Sequence, residues 1–269
     1  MKLGFFINAY RYFDIDYCIE SLSKYSYQGL ELWAKGNLIK PYDDKKEWDR
    51  VKELIERNNF EVYAVSAHLD FVTPDADQRK ALIHKFLGVL ELAEYFGVGR
   101  VHTASGGLYQ DYPEKLQRKH FLEAMEIIGP AAEKRGLKIG LEMEPEKWLS
   151  SPSQLIELIE DRLTPGVFGA VVDLGHAFGI GATPSEYIKE LAPWLMQVHV
   201  DDVRKTDFPH EHLIPGEGDI DYQAVFATLH EIGYDGWLSM ELNRHNDDPD
   251  GAAAAADRFM QRHKSAWSD

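Results

Sequence analysis

"LKIGLEME", residues 137–144, is the stretch whose reading decides the fold. A short apolar run ends abruptly in two carboxylates, Glu142 and Glu144. Before it, "EKRG" (133–136) supplies the glycine at which helices commonly stop. After it, "SPSQLIELIEDR" (151–162) opens with serine before proline, a favourable helix entry, and then spaces its apolar residues three and four apart. Helix exit, buried strand, acidic strand end and helix entry follow one another in a single unit.

Outward from this unit, the pattern repeats along the whole chain. The other apolar runs are "KLGFFIN" (2–8), "GLELWA" (29–34), "EVYAVSAHL" (61–69), "RVHTASGG" (100–107), "VFGAVVDLGHA" (167–177), "LMQVHVDDV" (195–203) and "GWLSMELN" (236–243). Each has the length and the branched or aromatic content of a buried strand. Between them, "DDKKEWDRVKELIERNNF" (43–60) and "DADQRKALIHKFLGVLELAEYFG" (75–97) have helical spacing, and "TPSEYIKELAPW" (183–194) opens with threonine before proline. "GAAAAAD" (251–257) reads as the start of the last helix. Eight strand–helix units without a break in composition predict an α/β fold, a single (β/α)8 TIM-barrel domain over residues 1–269. An open doubly wound sheet is the rival. It would bring a glycine-rich first turn for a dinucleotide, and "FINAYRYFD" (6–14) contains no G-x-G-x-x-G.

Composition narrows the functional classes. The 269 residues carry a formal charge of −16, which argues against broad binding to nucleic acid or to an anionic membrane. The apolar run at the N-terminus is too short for a signal peptide or a membrane span. Cys18 is the only cysteine, so no intramolecular disulfide forms. The expected location is the cytoplasm.

A TIM barrel places its chemistry at the C-terminal ends of its strands. His68, His102, His176 and His199 fall at the ends of the third, fourth, sixth and seventh runs, and His210 and His212 in the loop after the seventh. Glu142, Asp173, Asp201, Asp202 and Glu241 share the same level. By contrast His84, His120, His230 and His263 fall in helices and read as surface or partly packed residues. Carboxylates converging on one barrel mouth repel one another and lose hydration, and a divalent cation removes both penalties. Mixed His, Asp and Glu ligands without a thiolate suit Zn²⁺, Mn²⁺, Co²⁺ or Fe²⁺ alike.

Taken in order, Glu at the end of the fifth strand, "DLGH" (173–176), "HVDD" (199–202), "HLIPGEGDID" (212–221) and the closing "ME" (240–241) resemble the xylose isomerase-like TIM-barrel superfamily. That group includes sugar isomerases and epimerases, inosose isomerases and dehydratases, and enzymes of the endonuclease IV type. The resemblance implies a metal held by Glu142, Asp173, His199 and Glu241, with Glu142 and Glu241 also serving as catalytic acid and base. It implies an isomerase or epimerase of a small sugar, keto-sugar or polyol-derived ketone, working by proton abstraction beside a metal-chelated carbonyl through an enediolate. The same intermediate would serve a dehydratase or eliminating lyase acting on a keto-sugar or inosose. Dimers and tetramers are common in the resembled group, so a homo-oligomer is compatible with it.

The endonuclease IV branch implies a third reading, a multi-metal phosphoesterase. This chain matches its wider ligand pattern at His68, His102, His176 and His212, which would hold a second metal or bind substrate. It departs at His210, which stands where that branch has aspartate; His210 is expected to contact substrate. Trp33 and Trp148 lie near strand ends, where flat rings stack on sugar C–H faces. Glu31, read as ending the second strand, would bond a ligand histidine or a substrate hydroxyl. Arg204, just beyond the seventh strand, would contact a substrate oxygen.

Overall fold

The computed structural model describes residues 1–268 apart from 108, 110, 146 and 206–211. Eight strands run β1 (Lys2–Phe6), β2 (Gly29–Trp33), β3 (Glu61–Ser66), β4 (Arg100–Ala104), β5 (Lys138–Glu142), β6 (Phe168–Asp173), β7 (Leu195–Val200) and β8 (Trp237–Met240). They form a closed barrel in sequence order, with every neighbouring pair parallel and β8 returning to β1. Helices alternate with them: α1 (Ile15–Leu22), α2 (Lys45–Arg57), α3 (Ala76–Phe96), α4 (Glu114–Glu133), α5 (Pro152–Asp161), α6 (Leu174–Gly179), α7 (Pro184–Leu191), α8 (Tyr222–Glu231), α9 (Pro249–Arg262) and α10 (Lys264–Trp267). The expected (β/α)8 TIM barrel is the fold that forms.

The local signals act as the sequence suggests. Ser151 and Thr183 each close a capping box, with Gln154 and Glu186 as the reciprocal partners and proline in the first turn. Gly97 ends α3 with φ of 70°, a left-handed conformation that glycine adopts without a side-chain clash. β2 and β6 are buried along their whole lengths, as parallel strands are when helices cover one face and the barrel interior the other.

Three boundaries differ from expectation. β6 is followed by two helices, because the short glycine-rich "LGHAFG" (174–179) makes an extra turn that Asp173 caps by accepting from the His176 backbone N–H. The last long helix starts at Pro249 under an Asp248 cap, and a further turn, α10, follows it. His263 lies at the C-cap of α9 rather than within it.

The barrel floor is aromatic. Tyr63 stacks on Trp237 with ring centroids 4.3 Å apart, and Lys2 Nζ sits 4.9 Å above the Trp237 ring. Small residues make room for this packing and for the polar groups above it. A Cβ on Gly140 would meet Val171 Cγ2 at 2.6 Å and His102 Cδ2 at 2.7 Å. Gly140→Ala is therefore expected to cost about 1–3 kcal/mol through overpacking, read as a lower urea midpoint with an unchanged slope. An unaltered midpoint would show that the His102 ring can move aside.

Candidate metal centre

Side chains two apart on a strand share a face, so β7 sends His199 and Gln197 inward and Val198 outward. Register then sets the level of the other groups: Asp173 pairs with His199, His199 with Ser239, and Ala104 with Glu142. Glu142 ends β5, Asp173 ends β6, and Glu241 follows β8 directly. Glu142, Asp173, His199 and Glu241 are each 0–2% exposed.

One ligand atom from each of Glu142, Asp173, His199 and Glu241 lies within 4.8 Å of every other. His199 Nδ1 stands 2.7 Å from Glu241 Oε2 and 3.5 Å from Glu142 Oε2. These three atoms are buried, yet none makes a hydrogen bond among the described residues. Ligand atoms of the four side chains thus converge on a single point. Three carboxylates and one imidazole are hard to borderline donors, and their combined negative charge calls for a cation. The residues fit a divalent metal on this geometry.

Electrostatics point the same way. Burial alone would push His199 down, but the carboxylates of Glu31 and Glu241 hold its imidazole well above the ordinary range. Burial would push Glu142 up, and the imidazoles of His68, His176 and His199 around it hold it well below. Glu241 is lowered too: burial opposes and His199 outweighs it. Without a metal, protons on the imidazoles balance the acids; a cation at the same place would take over that role.

The two glutamates have different neighbours. Glu241 Oε1 accepts from Asn8 Nδ2 at 2.9 Å and Asn243 Nδ2 at 3.2 Å, an amide pair that orients the carboxylate. Glu142 instead faces imidazoles: His176 Nδ1 lies 3.0 Å from Oε1 and His68 Nε2 3.4 Å from Oε2. His68 is partly exposed, so Glu142 has an imidazole between it and the mouth.

A second acidic group adjoins the first. Asp173, Asp201 and His212 also bring ligand atoms within 4.8 Å of one another. His212 Nδ1 lies 3.0 Å from Asp201 Oδ2 and 3.9 Å from Asp173 Oδ2. His212 holds this position with φ of 47°, a left-handed backbone unusual for a residue other than glycine. Asp202, its backbone bridged to Leu213 in both directions, ties down the loop. Its carboxylate accepts from the backbone of Val203, Gly216 and Ile220. Asp202 thus shapes the loop, while Asp201 faces the site.

The remaining candidates separate. Glu31 lies in the middle of β2 rather than at its end, fully buried beneath His199, and is bonded to it and to His102. His102 is thereby held below the mouth, apart from His68, His176 and His212. Trp33 packs edge-on against Phe6 and His68. Trp148 is buried, with its indole N–H donating to the Ser105 carbonyl and its ring against Phe121. Arg204 is exposed, beside Phe178 and Thr183. His210 lies outside the described residues. Asn8, Ser66, Ser239 and Asn243 join the polar network although sequence reasoning does not single them out; Asn8 and Asn243, polar residues each closing an apolar run, offer a sequence signal.

Three comparisons bear on this barrel. An inosose isomerase of Halalkalibacterium halodurans is 24% identical over 86% of this chain and 82% of its own. A D-tagatose 3-epimerase-like protein superposes with a TM-score of 0.84 at 24% identity, covering 98% of this chain and 97% of that one. An IolI protein with a binding zinc atom superposes at 0.81 and 23% identity, with 100% of both chains covered. Residues 19–263 match the family described as xylose isomerase-like TIM barrel. With nearly its whole length inside that match, the chain belongs to the xylose isomerase-like TIM-barrel family.

Proposed function

We propose that this protein is a metal-dependent isomerase or epimerase of a small keto-sugar or cyclic polyol ketone. The observation that carries the reading is the convergence of Glu142, Asp173, His199 and Glu241, in which buried atoms of Glu142, His199 and Glu241 make no hydrogen bond among the described residues. The kinship with an inosose isomerase, and the zinc in a structural relative, support it. Those four residues would hold the cation, and no thiolate is among them to favour zinc over manganese, cobalt or iron. The chemistry supplied at such a centre is positive charge beside a carbonyl and its neighbouring hydroxyl, where an enediolate develops negative charge.

The chain's own residues move the proton. Glu142 and Glu241 come from strands three apart, so they reach a bound ring or chain from different sides. One takes a proton from the carbon beside the carbonyl and the other returns it. Asn8 and Asn243 hold Glu241 through Oε1 and leave Oε2 turned toward His199. His68 and His176 beside Glu142 can pass its proton outward. Trp33, packed edge-on against His68 and backed by the fully buried Phe6, is the ring a sugar C–H face would meet. If the intermediate instead expels a β-hydroxyl, the same residues serve a dehydratase.

The test is solvent exchange. The protein is loaded in turn with Mn²⁺, Zn²⁺, Co²⁺ and Fe²⁺ and incubated in D₂O with a panel of ketoses and inososes. NMR should show deuterium at the carbon next to the carbonyl and a new stereoisomer or regioisomer; loss of water would mark the dehydratase outcome. Absence of exchange, together with two or more bound metals, one lost in His212→Ala, would move a phosphoesterase to the front.

A further inference from the structure

A buried carboxylate beneath the metal centre is used by none of the chemistry above. Glu31 is fully buried. Its partners among the described residues are Ser66 Oγ, Ser239 Oγ at 2.8 Å, His102 Nδ1 at 3.0 Å and His199 Nε2 at 3.1 Å. No lysine or arginine is among them. We propose that Glu31 is the positioning residue of the metal centre: it fixes the tautomer of His199 and, through it, aims the Nδ1 lone pair at the cation.

The direction of every hydrogen follows from the chain of donors. Tyr63 donates to Ser239 Oγ at 2.6 Å, so the Ser239 hydroxyl hydrogen is directed to Glu31. Ser66 donates to the other oxygen. An ionised carboxylate only accepts, so each imidazole nitrogen facing it must carry a hydrogen. His199 therefore keeps hydrogen on Nε2, so the nitrogen left to give up its proton to a cation and present a lone pair is Nδ1, the atom that meets Glu142 and Glu241. Phe6 stacks on the same ring at 5.4 Å with an interplanar angle of 28°, which blocks its rotation. By the same rule His102 has hydrogen on Nδ1 and is a spectator to the metal, although Glu31, His102 and His199 also bring ligand atoms together. With four donors Glu31 has its acceptor sites filled, which argues against a cation in that lower group. A buried anion without a permanent cation beside it is balanced across the His199 ring by the charge bound on the far side. Carboxylate–histidine–metal chains of this kind raise ligand basicity, and their loss typically weakens metal binding about 10–100-fold.

This role rests on the metal reading of His199, and the experiment separates the two. Zn²⁺ affinity is measured by competition with a chromogenic chelator for the unaltered protein, His199→Ala and Glu31→Gln. The zinc-loaded unaltered protein is examined by long-range ¹H–¹⁵N NMR of its histidines. Expected are a metal-shifted Nδ1 with protonated Nε2 for His199, protonated Nδ1 with an unshifted Nε2 for His102, and roughly 10–100-fold weaker zinc in Glu31→Gln. A metal-shifted His102, or a His199 protonated on Nδ1, overturns the proposal, and this arm stands whether or not Glu31→Gln folds. Folded Glu31→Gln that binds zinc as tightly as the unaltered protein overturns it too, while the centre itself stands. If the unaltered protein binds no zinc, or His199→Ala binds it equally, the metal reading falls and takes the role of Glu31 with it.

Discussion

Glu241→Gln should lower turnover by about a thousandfold, within the range by which a positioned acid or base accelerates proton transfer. The substitution keeps the shape of the side chain and removes its charge and its basicity. Glutamine also has only one acceptor oxygen. Asn8 and Asn243 both donate to Oε1, so that oxygen would stay with them and the new amide would face His199 Nδ1, the atom now 2.7 Å from Oε2. A donor placed there opposes a cation and abstracts no proton. Loss of exchange at saturating metal isolates the proton-transfer role, and weaker metal binding measured separately reports the ligand role. The two effects need not be equal, because Glu142, Asp173 and His199 would remain. A variant that keeps more than about a tenth of the exchange rate would remove Glu241 from proton transfer.

Much of this site is legible in the sequence because of one geometric rule. In a parallel barrel, the residue closing each apolar run arrives at the same mouth, so Glu142, Asp173, His199 and Glu241 assemble from spacing and a family resemblance without coordinates. The helices are legible for a different reason: Ser151-Pro152 and Thr183-Pro184 satisfy the first-turn backbone groups locally, independent of the rest of the chain. Below the mouth the rule loses its grip. Glu31 reads as a strand end because the run "GLELWA" is short, but β2 continues to Trp33 and buries the carboxylate in mid-strand. Ser66 ends β3 inside a longer apolar run and Ser239 sits within β8, where a small polar residue reads as filler until the acid it bonds is known. His102 and His199 look equivalent as letters. Only register separates them, pairing His102 with Gly140 and His199 with Asp173. The short α6 is invisible in the pattern, because a helix held by one aspartate cap has too few residues to show a period.

Asp202→Ala should destabilise the protein by roughly 2–4 kcal/mol and disorganise the loop that carries His212. Asp201 and Asp202 are adjacent acids at one strand end, yet their tasks differ. Asp202 turns back into its own loop and accepts backbone N–H groups from Val203 at 2.9 Å, Gly216 at 2.8 Å and Ile220 at 3.2 Å. Alanine would leave Val203 and Ile220, both buried, without their acceptor, while exposed Gly216 can turn to water. The close packing of Gly218 shows how little slack exists, since a Cβ there would meet the Asp202 carboxylate and the Val203 carbonyl. Asp202→Asn keeps one acceptor and should cost less than Asp202→Ala. Its deficit should also depend on pH. Burial raises the Asp202 carboxyl above its ordinary range, although the backbone bonds pull the other way. A carboxyl whose folded pKa is raised holds its proton more tightly when folded, so the native protein gains stability as pH falls through that range and loses it as pH rises. The amide of Asp202→Asn does not titrate, so the gap between the two proteins should widen on acidification and narrow toward neutral pH. Urea melts of both proteins across the acid range measure that gap. A gap that narrows on acidification would mean that the backbone donors, and not burial, dominate at this loop.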